Sequence, residues 1–228
     1  PELLPRERIV EMLVALCDEG RNFDTGIFGT TPMLHILTAE GYGDIARRLL
    51  TKPEYPSYRA MLDLGATTLW EHWPVQGLEG GYEVYDGSMS HPMHAAFDEW
   101  LYTGVAGLAA RRSVREPWTF RWNDFPGLER ASAARRIPEG RISSEWRRDG
   151  SEIVWEIEVS AGIEAQIVIP ACIQAIREGG RPLANQAETG RIRILPAMPE
   201  SGRQPLSVGS GSYKFSFPAP KHEKSQQI

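Results

Sequence analysis

A carboxylate between two indoles is the feature of this sequence best suited to chemistry. Glu71 lies between Trp70 and Trp73 in the run Gly65-Ala-Thr-Thr-Leu-Trp-Glu-His-Trp73. An indole face can cover the apolar C–H face of a pyranose ring, and a neighbouring acid can move the proton in glycosidic cleavage. We therefore take Glu71 as the candidate catalytic base and the two tryptophans as candidate substrate-binding residues.

A histidine follows after a glycine- and tyrosine-rich loop, in the run Ser88-Met-Ser-His-Pro92. His91 precedes a proline, which predicts that it stands at a helix N-terminus, where its imidazole can hydrogen-bond a sugar hydroxyl. The residue types alone leave other interpretations open. Glu71 could be a solvated surface glutamate, His91 a local cap, and both tryptophans core residues.

The sequence of both runs resembles the signature of bacterial α-L-rhamnosidases, which are glycoside hydrolases. The resemblance covers almost the whole chain, although Gln174 to Glu188 and the final charged tail match poorly. It continues in four further segments: Asp98 to Tyr102, Val105 to Leu108, Gly140 to Trp146, and Val208 to Tyr213.

The resemblance implies an inverting reaction in which Glu71 activates water and His91 contacts the sugar of a rhamnose-containing glycoside. Inversion needs a second acid roughly 6.5 to 9.5 Å from the base. In the family that general acid lies in an earlier segment, which this chain does not contain, so we expect the isolated chain to be inactive. The acids near Glu71 are better explained by turn chemistry: Asp63, Glu79, Glu83 and Asp86.

Two other classes of function remain open. The chain could be a non-catalytic carbohydrate-binding or structural fragment, since one acid is missing. It could also belong to a glycosidase of other specificity, or to a glycoside phosphorylase, on the same type of barrel. A phosphate nucleophile would not need Glu71 as a base, which disfavours the phosphorylase.

Helical spacing of apolar residues dominates the first half of the chain. It predicts a helix from Pro5 to Glu19, with Ile9, Met12, Leu13, Leu16 and Cys17 apolar. Thr31-Pro32 reads as an N-cap with proline at the first helical position, and a third helix runs from Tyr42 to Thr51. Pro92 opens a longer helix with a buried stripe of Phe97, Leu101, Val105 and Leu108.

Period-two alternation replaces the helical pattern after residue 110. Strands are predicted around Ile142 to Trp146, Ile153 to Val159, Ala165 to Ile169, Ile192 to Ile194, and Tyr213 to Phe217. The fold expected is a set of helices followed by an antiparallel β-sandwich, with domains 1–110 and 111–228. By resemblance, the helices would close an (α/α)6 barrel, completed by upstream helices of the same protein or by a complementary chain.

Composition narrows the choice of partners. The 228 residues are 41% hydrophobic, enough for packed cores, and the net charge of -5 disfavours nucleic acid and anionic membrane. Cys17 and Cys172 give no disulfide framework, and no residues have the spacing of a metal site or a cofactor loop. The chain begins with Pro1 and shows no signal peptide or membrane span, so its compartment stays unassigned.

Overall fold

The computed structural model describes residues 4–18, 25–73, 75–76, 82–83, 87–108, 110–111, 113–170, 175–185, 190–198 and 202–220. Contacts divide the chain into two compact units, Pro1–Trp100 and Leu101–Ile228. The first unit is mainly helical and the second is built from β-strands. The predicted order, helices followed by β-sheets rich in antiparallel pairs, is confirmed.

The helical unit is organised around its second helix. Its helices are α1 (Arg6–Asp18), α2 (Gly26–Ala39), α3 (Gly43–Thr51), α4 (Tyr58–Asp63) and α5 (Phe97–Trp100), with a 3₁₀ turn over Pro92–Ala96 before α5. α2 contacts α1, α3, α5 and the 3₁₀ turn. Leu34 and Leu37 of α2 are fully buried, and the Trp100 indole donates to Thr38 Oγ1 at 2.9 Å.

α2 begins earlier than the sequence predicted. The N-cap position falls on Thr25, and Thr30 lies inside the helix, donating its hydroxyl to Gly26 O at 2.7 Å. Pro32 is therefore an interior residue, not the first helical one. An interior proline removes one helical hydrogen bond. Thr30, Met33 and Leu34, which lie around Pro32 on the same helix, are buried.

The segment from Pro92 to Val105 is helical but not uniform, and the predicted buried stripe holds only in part: Leu108 is buried, Phe97 and Val105 are partly buried, and Leu101 is exposed. The backbone passes from the 3₁₀ turn through α5 into a π-helical turn over Leu101–Val105. The residues per turn change along such a segment, so a constant period misplaces the buried face. His94, Trp100, Gly104 and Leu108 are buried, whereas Leu101 is exposed.

The helical unit leaves an apolar surface uncovered. Met12 is 48% exposed and Phe28 is 76% exposed, and Ile9, Leu16 and Ile36 are exposed as well. Ile9, Met12 and Leu16 are among the apolar residues whose spacing predicted α1. Trp70, Trp73 and Trp100 of the same unit are buried.

The β unit contains ten strands in two sheets, within the residues that the structure describes. After the short pair β1 (Val75–Gln76) and β2 (Tyr82–Glu83) of the helical unit, they are β3 (Trp118–Arg121), β4 (Arg130–Ile137), β5 (Gly140–Asp149), β6 (Glu152–Val159), β7 (Ala165–Ile169), β8 (Arg177–Glu178), β9 (Arg181–Pro182), β10 (Ile192–Ile194), β11 (Gln204–Val208) and β12 (Gly211–Pro218). One sheet has the order β10-β11-β7-β3 and the other β4-β5-β6-β12-β8-β9. β3 pairs with β7 in parallel, so the expected all-antiparallel arrangement fails at that edge.

Residues just after Trp100 hydrogen-bond into the β unit. Ser144 is fully buried, donates to Ala106 O at 2.5 Å and accepts from Trp155 Nε1 at 2.8 Å. Trp146 Nε1 donates to Val105 O at 2.8 Å. These bonds explain why the units divide between Trp100 and Leu101, before the boundary expected at residue 110. Whether each unit is an independent domain stays a prediction.

The connection between the helical segment and β3 requires glycine at position 107. Its φ is +68°, in the left-handed region that disfavours a side chain. A Cβ atom there would lie 2.7 Å from the carbonyl oxygen of Arg121, well inside van der Waals contact. Only glycine lets the backbone approach β3 this closely.

Neither a helix able to cross a membrane nor a cluster of three metal-ligating side chains occurs among the residues described. Cys17 is buried on α1. Cys172 lies outside the described residues.

We predict that Ser144→Ala destabilises the β unit by about 1–3 kcal/mol, because it leaves the Trp155 N–H and the Ala106 carbonyl unpaired in a buried site. Native-state hydrogen exchange of β5 and β6 amides measures the change. The control is Ser143→Ala, which removes a half-buried hydroxyl bonded to Glu158 Oε2 at 3.2 Å. Equal losses in both variants would contradict the assigned role of Ser144.

Candidate active site

The two motif segments lie side by side and exchange backbone hydrogen bonds. Glu71 N donates to Ser88 O at 2.9 Å, and His91 N donates to Leu69 O at 2.7 Å. The Thr68 hydroxyl also donates to Met89 O. Residues distant in sequence are thus fixed next to each other, with Glu71 on a bend and not at a helix start.

Gly65 ends the helix that leads into this site. Its φ is +84°, its N–H donates to Leu62 O at 2.9 Å, and Ala66 N donates to Met61 O at 3.0 Å. A left-handed glycine just beyond a helix is the usual way to satisfy the last carbonyls. The Gly65-Ala66 part of the motif therefore terminates α4 and sets the direction of the chain toward Glu71.

The Glu71 carboxylate is surrounded by two imidazoles and one backbone amide. Oε2 accepts from Ser88 N at 3.3 Å and lies 3.9 Å from His91 Nδ1, while Oε1 lies 3.9 Å from His72 Nε2. The side chain is 34% exposed, and within the described part of the chain no lysine or arginine pairs with it. The carboxylate is held in place but remains open to a proton donor.

The predicted tryptophans lie in a buried layer that also contains Tyr58 and His94. Trp70 is 6% exposed and Trp73 is 8% exposed, so neither presents a wide face within this chain. Trp73 packs edge-on against His94, with ring centroids 4.4 Å apart, and against Tyr58 at 5.0 Å. Their placement favours a supporting role over the predicted stacking role.

His94 connects this layer to the motif. Its Nδ1 lies 2.7 Å from Trp70 O, and a carbonyl only accepts, so Nδ1 carries the proton. Its own carbonyl accepts from the Tyr58 hydroxyl at 2.9 Å. Burial lowers the pKa of His94; the bond to Trp70 O opposes this shift, and His91 and His72 add to it. Burial also raises the pKa of Tyr58.

The sequence analysis did not identify Tyr58 as part of this site. The signal that could have found Tyr58 is Ser57, which caps α4 by accepting from Ala60 N at 2.9 Å. A serine after Pro56 and before a helical run is typical of an N-terminus. The helix so predicted would have placed Tyr58 at its first position.

The alternative acids fall into two groups. Asp63 makes two bonds with Arg59 Nε at 2.8 and 2.9 Å, so it belongs to an exposed helical ion pair. Glu79, Asp86 and the side chain of Glu83 lie outside what the structure describes, as does most of the glycine- and tyrosine-rich loop before Ser88. On another part of the helical unit, His35 Nε2 lies 2.6 Å from Glu99 Oε2.

Residues 1–105 match the family described as the bacterial alpha-L-rhamnosidase 6 hairpin glycosidase domain. The chain is 30% identical over 214 residues to an alpha-L-rhamnosidase of Streptomyces avermitilis, covering 92% of this chain and 19% of that protein. An alpha-L-rhamnosidase of Formosa agariphila is 27% identical over 161 residues, 70% of this chain and 17% of that protein.

The solved structures to which this chain is similar are also those of alpha-L-rhamnosidases. The crystal structure of the Streptomyces avermitilis alpha-L-rhamnosidase complexed with L-rhamnose superposes with a TM-score of 0.73 at 26% identity, over 92% of this chain and 19% of that one. The alpha-L-rhamnosidase of Dictyoglumus thermophilum has a TM-score of 0.73 at 24% identity, over 95% of this chain and 24% of that one, and supports the fold alone. This chain therefore spans about a fifth of the length of the curated relatives it matches.

We predict that His94 makes folding stability sensitive to acid. Because its pKa is lowered from 6.5, the unfolded chain binds this proton more readily than the folded chain does. The contribution of the neutral His94 imidazole to the free energy of unfolding is complete above about pH 6.5 and decreases as the pH falls below that value. The free energy of unfolding between about pH 7 and pH 5, from urea titrations, should fall less in His94→Gln than in the parent chain.

The matched control is His72→Gln, which changes an exposed histidine of the same site. His94→Gln should also cost about 1–3 kcal/mol at neutral pH, since it disturbs a buried hydrogen bond and ring packing. An unchanged acid sensitivity in His94→Gln would show that the buried imidazole is not its source.

Proposed function

We propose that this chain, a homologue of one segment of the α-L-rhamnosidases, forms one side of the active site of an enzyme that hydrolyses terminal α-L-rhamnosides. The observation that carries the proposal is the Glu71 carboxylate, which accepts from Ser88 N–H, lies between His72 and His91, and is paired with no lysine or arginine among the described residues. The similarity to a rhamnosidase solved with L-rhamnose supports the substrate class.

Glu71 acts as the general base of an inverting reaction. One of its oxygens accepts a proton from a water molecule, whose oxygen attacks the anomeric carbon on the face opposite the leaving group. The glycosidic bond breaks as the leaving oxygen takes a proton from a second acid. A partly exposed carboxylate fits the first role because water must reach it.

His91 binds the sugar beside that water. Its imidazole lies 3.9 Å from Glu71 and is only partly buried, so it can bond a sugar hydroxyl while staying next to the base. Trp70 and Trp73 belong to the buried layer with Tyr58 and His94. Their predicted contact with the sugar ring is limited to the small part of each indole that is exposed.

The general acid comes from outside this chain. In the described part of the helical unit, Asp63 pairs with Arg59, Glu40 with Arg6, and Glu99 with His35. The exposed apolar side chains of α1 and α2 are where the remaining helices of a six-hairpin domain pack, since each such helix needs an apolar surface to bury. Those helices then carry the acid.

The isolated 228-residue chain should show no hydrolysis of an aryl α-L-rhamnoside above the rate without protein. It holds the base but not the acid, and an inverting glycosidase needs both. Release of the chromogenic aglycone measures the rate. Appreciable hydrolysis by the isolated chain would overturn the assignment of the acid to another segment.

In a form of the protein that carries the complete six-hairpin domain, Glu71→Gln should lower kcat by 10²-fold or more, the typical loss of a general base. KM should change much less, because the amide keeps the shape of the side chain. The control is Asp63→Asn, which removes a carboxylate that pairs with Arg59. A loss of less than about tenfold in Glu71→Gln would rule out the role of base.

A further inference from the structure

A cleft of about 450 Å³ opens on the β unit, a volume within the usual range of small-ligand pockets. It lies where β3 and β7 begin, and the turn between β4 and β5 contributes to its wall. Six residues that define it are Trp118, Glu139, Glu164, Gln166, Arg193 and Ser207. None of them belongs to the helical unit that carries Glu71.

The strand register makes the floor of this cleft polar. Arg193 of β10 pairs with Ser207 of β11, which pairs with Gln166 of β7, so the three side chains share one face of the sheet. The next row, which contains Val208 and Ala165, points to the opposite face and is buried in the core. The sheet therefore presents a row of hydrogen-bonding side chains to the cleft.

The floor residues are already oriented by one another. Ser207 Oγ donates to Glu164 Oε1 at 2.5 Å, and Arg193 Nη2 donates to the same oxygen at 3.2 Å and to Ser207 Oγ at 3.3 Å. Both hydrogen bonds to Glu164 use its Oε1 atom, so its Oε2 atom is left for another donor. A ligand hydroxyl at Oε2 would meet a carboxylate that is already held in place, which lowers the ordering cost of binding.

The opposite wall is also fixed. The Arg111 guanidinium lies over the Trp118 ring, 4.9 Å from its centroid, and 3.9 Å from Glu139 Oε1. A cation over an indole that also faces a carboxylate is restrained from two directions. Its remaining N–H groups can donate to a ligand without leaving either partner.

The charges of the lining cancel. Three arginines and three glutamates line the cleft, and two of each are paired, as Arg111 with Glu139 and Arg193 with Glu164. An ionic ligand would have to displace one partner of a pair, whereas a neutral ligand with several hydroxyls finds fixed donors and acceptors together. We propose that this cleft binds a neutral carbohydrate, independently of the role of Glu71.

The test is a titration of the 228-residue chain, followed by backbone amide chemical shifts. The probes are L-rhamnose, a neutral disaccharide such as maltose, and sulfate as an anion. Saturable shifts should appear at residues 164–167, 192–194 and 206–208 with at least one neutral sugar, with a Kd of about 1 mM, as expected for a ligand of this size. Sulfate should produce no saturable shifts there.

The variant is Glu164→Gln combined with Ser207→Ala, and it should weaken sugar binding about tenfold or more, since bonds to a charged acceptor are lost. Glu158→Gln is the matched control: Glu158 pairs with Arg141 at 3.0 Å, is comparably exposed and lies on the other sheet. The same titration in Glu71→Gln should leave the cleft shifts unchanged, which separates this proposal from the proposed catalysis.

Chemical shifts that do not saturate by about 50 mM sugar, far above the expected Kd, would overturn the proposal. Equal sugar affinity in the double variant and in the control would overturn it as well. Displacement of the sugar by sulfate would show that the cleft is an anion site. Sugar-induced shifts confined to residues 69–73 and 88–91 would likewise contradict the cleft, while supporting the site around Glu71.

Discussion

The position of Glu71 depends on one buried hydrogen bond, from His94 Nδ1 to the carbonyl of Trp70. The bond ties the 3₁₀ turn after His91 to the residue just before Glu71, so the two motif segments share one anchor. Two further backbone bonds then align the segments, and Ser88 N–H fixes the carboxylate itself. Trp73 and Tyr58 enclose the imidazole from the side. The partly exposed carboxylate is therefore positioned by backbone hydrogen bonds and by buried neighbours that support its segment.

The motif can now be understood residue by residue. Gly65 ends α4, Trp70 offers its carbonyl to His94, and Trp73 packs on His94 and Tyr58. The Glu71 carboxylate lies between the imidazoles of His72 and His91, 3.9 Å from each. Most residues that make the two runs recognisable thus support the backbone around Glu71, and only a few carry the chemistry. This division explains why a resemblance in sequence identifies the site more strongly than the types of residue alone.

Much of the β unit was predictable because alternation is a strong signal when one face of a strand is buried. β5, β6, β7 and β12 follow the predicted pattern, whereas β4 consists largely of Arg, Ala and Ser and lacks a run of large apolar residues. β11 contains Pro205, which argues against a strand in any local reading. In the helical unit, the start of α2 and the change of winding after Pro92 depend on tertiary packing. The closeness of Glu71 to His91 depends on backbone bonds between distant segments, so only the resemblance, and not the spacing, could suggest it.

The two units differ in how far their own residues complete them. In the β unit, both sheets contribute to one core in which Phe120, Trp146 and Phe215 are fully buried. In the helical unit, large apolar side chains such as Phe28 stay exposed, and three of its acids, Glu40, Glu99 and Asp63, pair with Arg6, His35 and Arg59. A site on the β unit needs only strands that this chain supplies, so its binding properties belong to the chain itself. The helical unit carries the site around Glu71, and under the proposed function that site is completed by further helices that bring a second acid. The proposed cleft can therefore be tested on this chain alone, whereas the proposed catalysis is tested in a form that carries the complete six-hairpin domain.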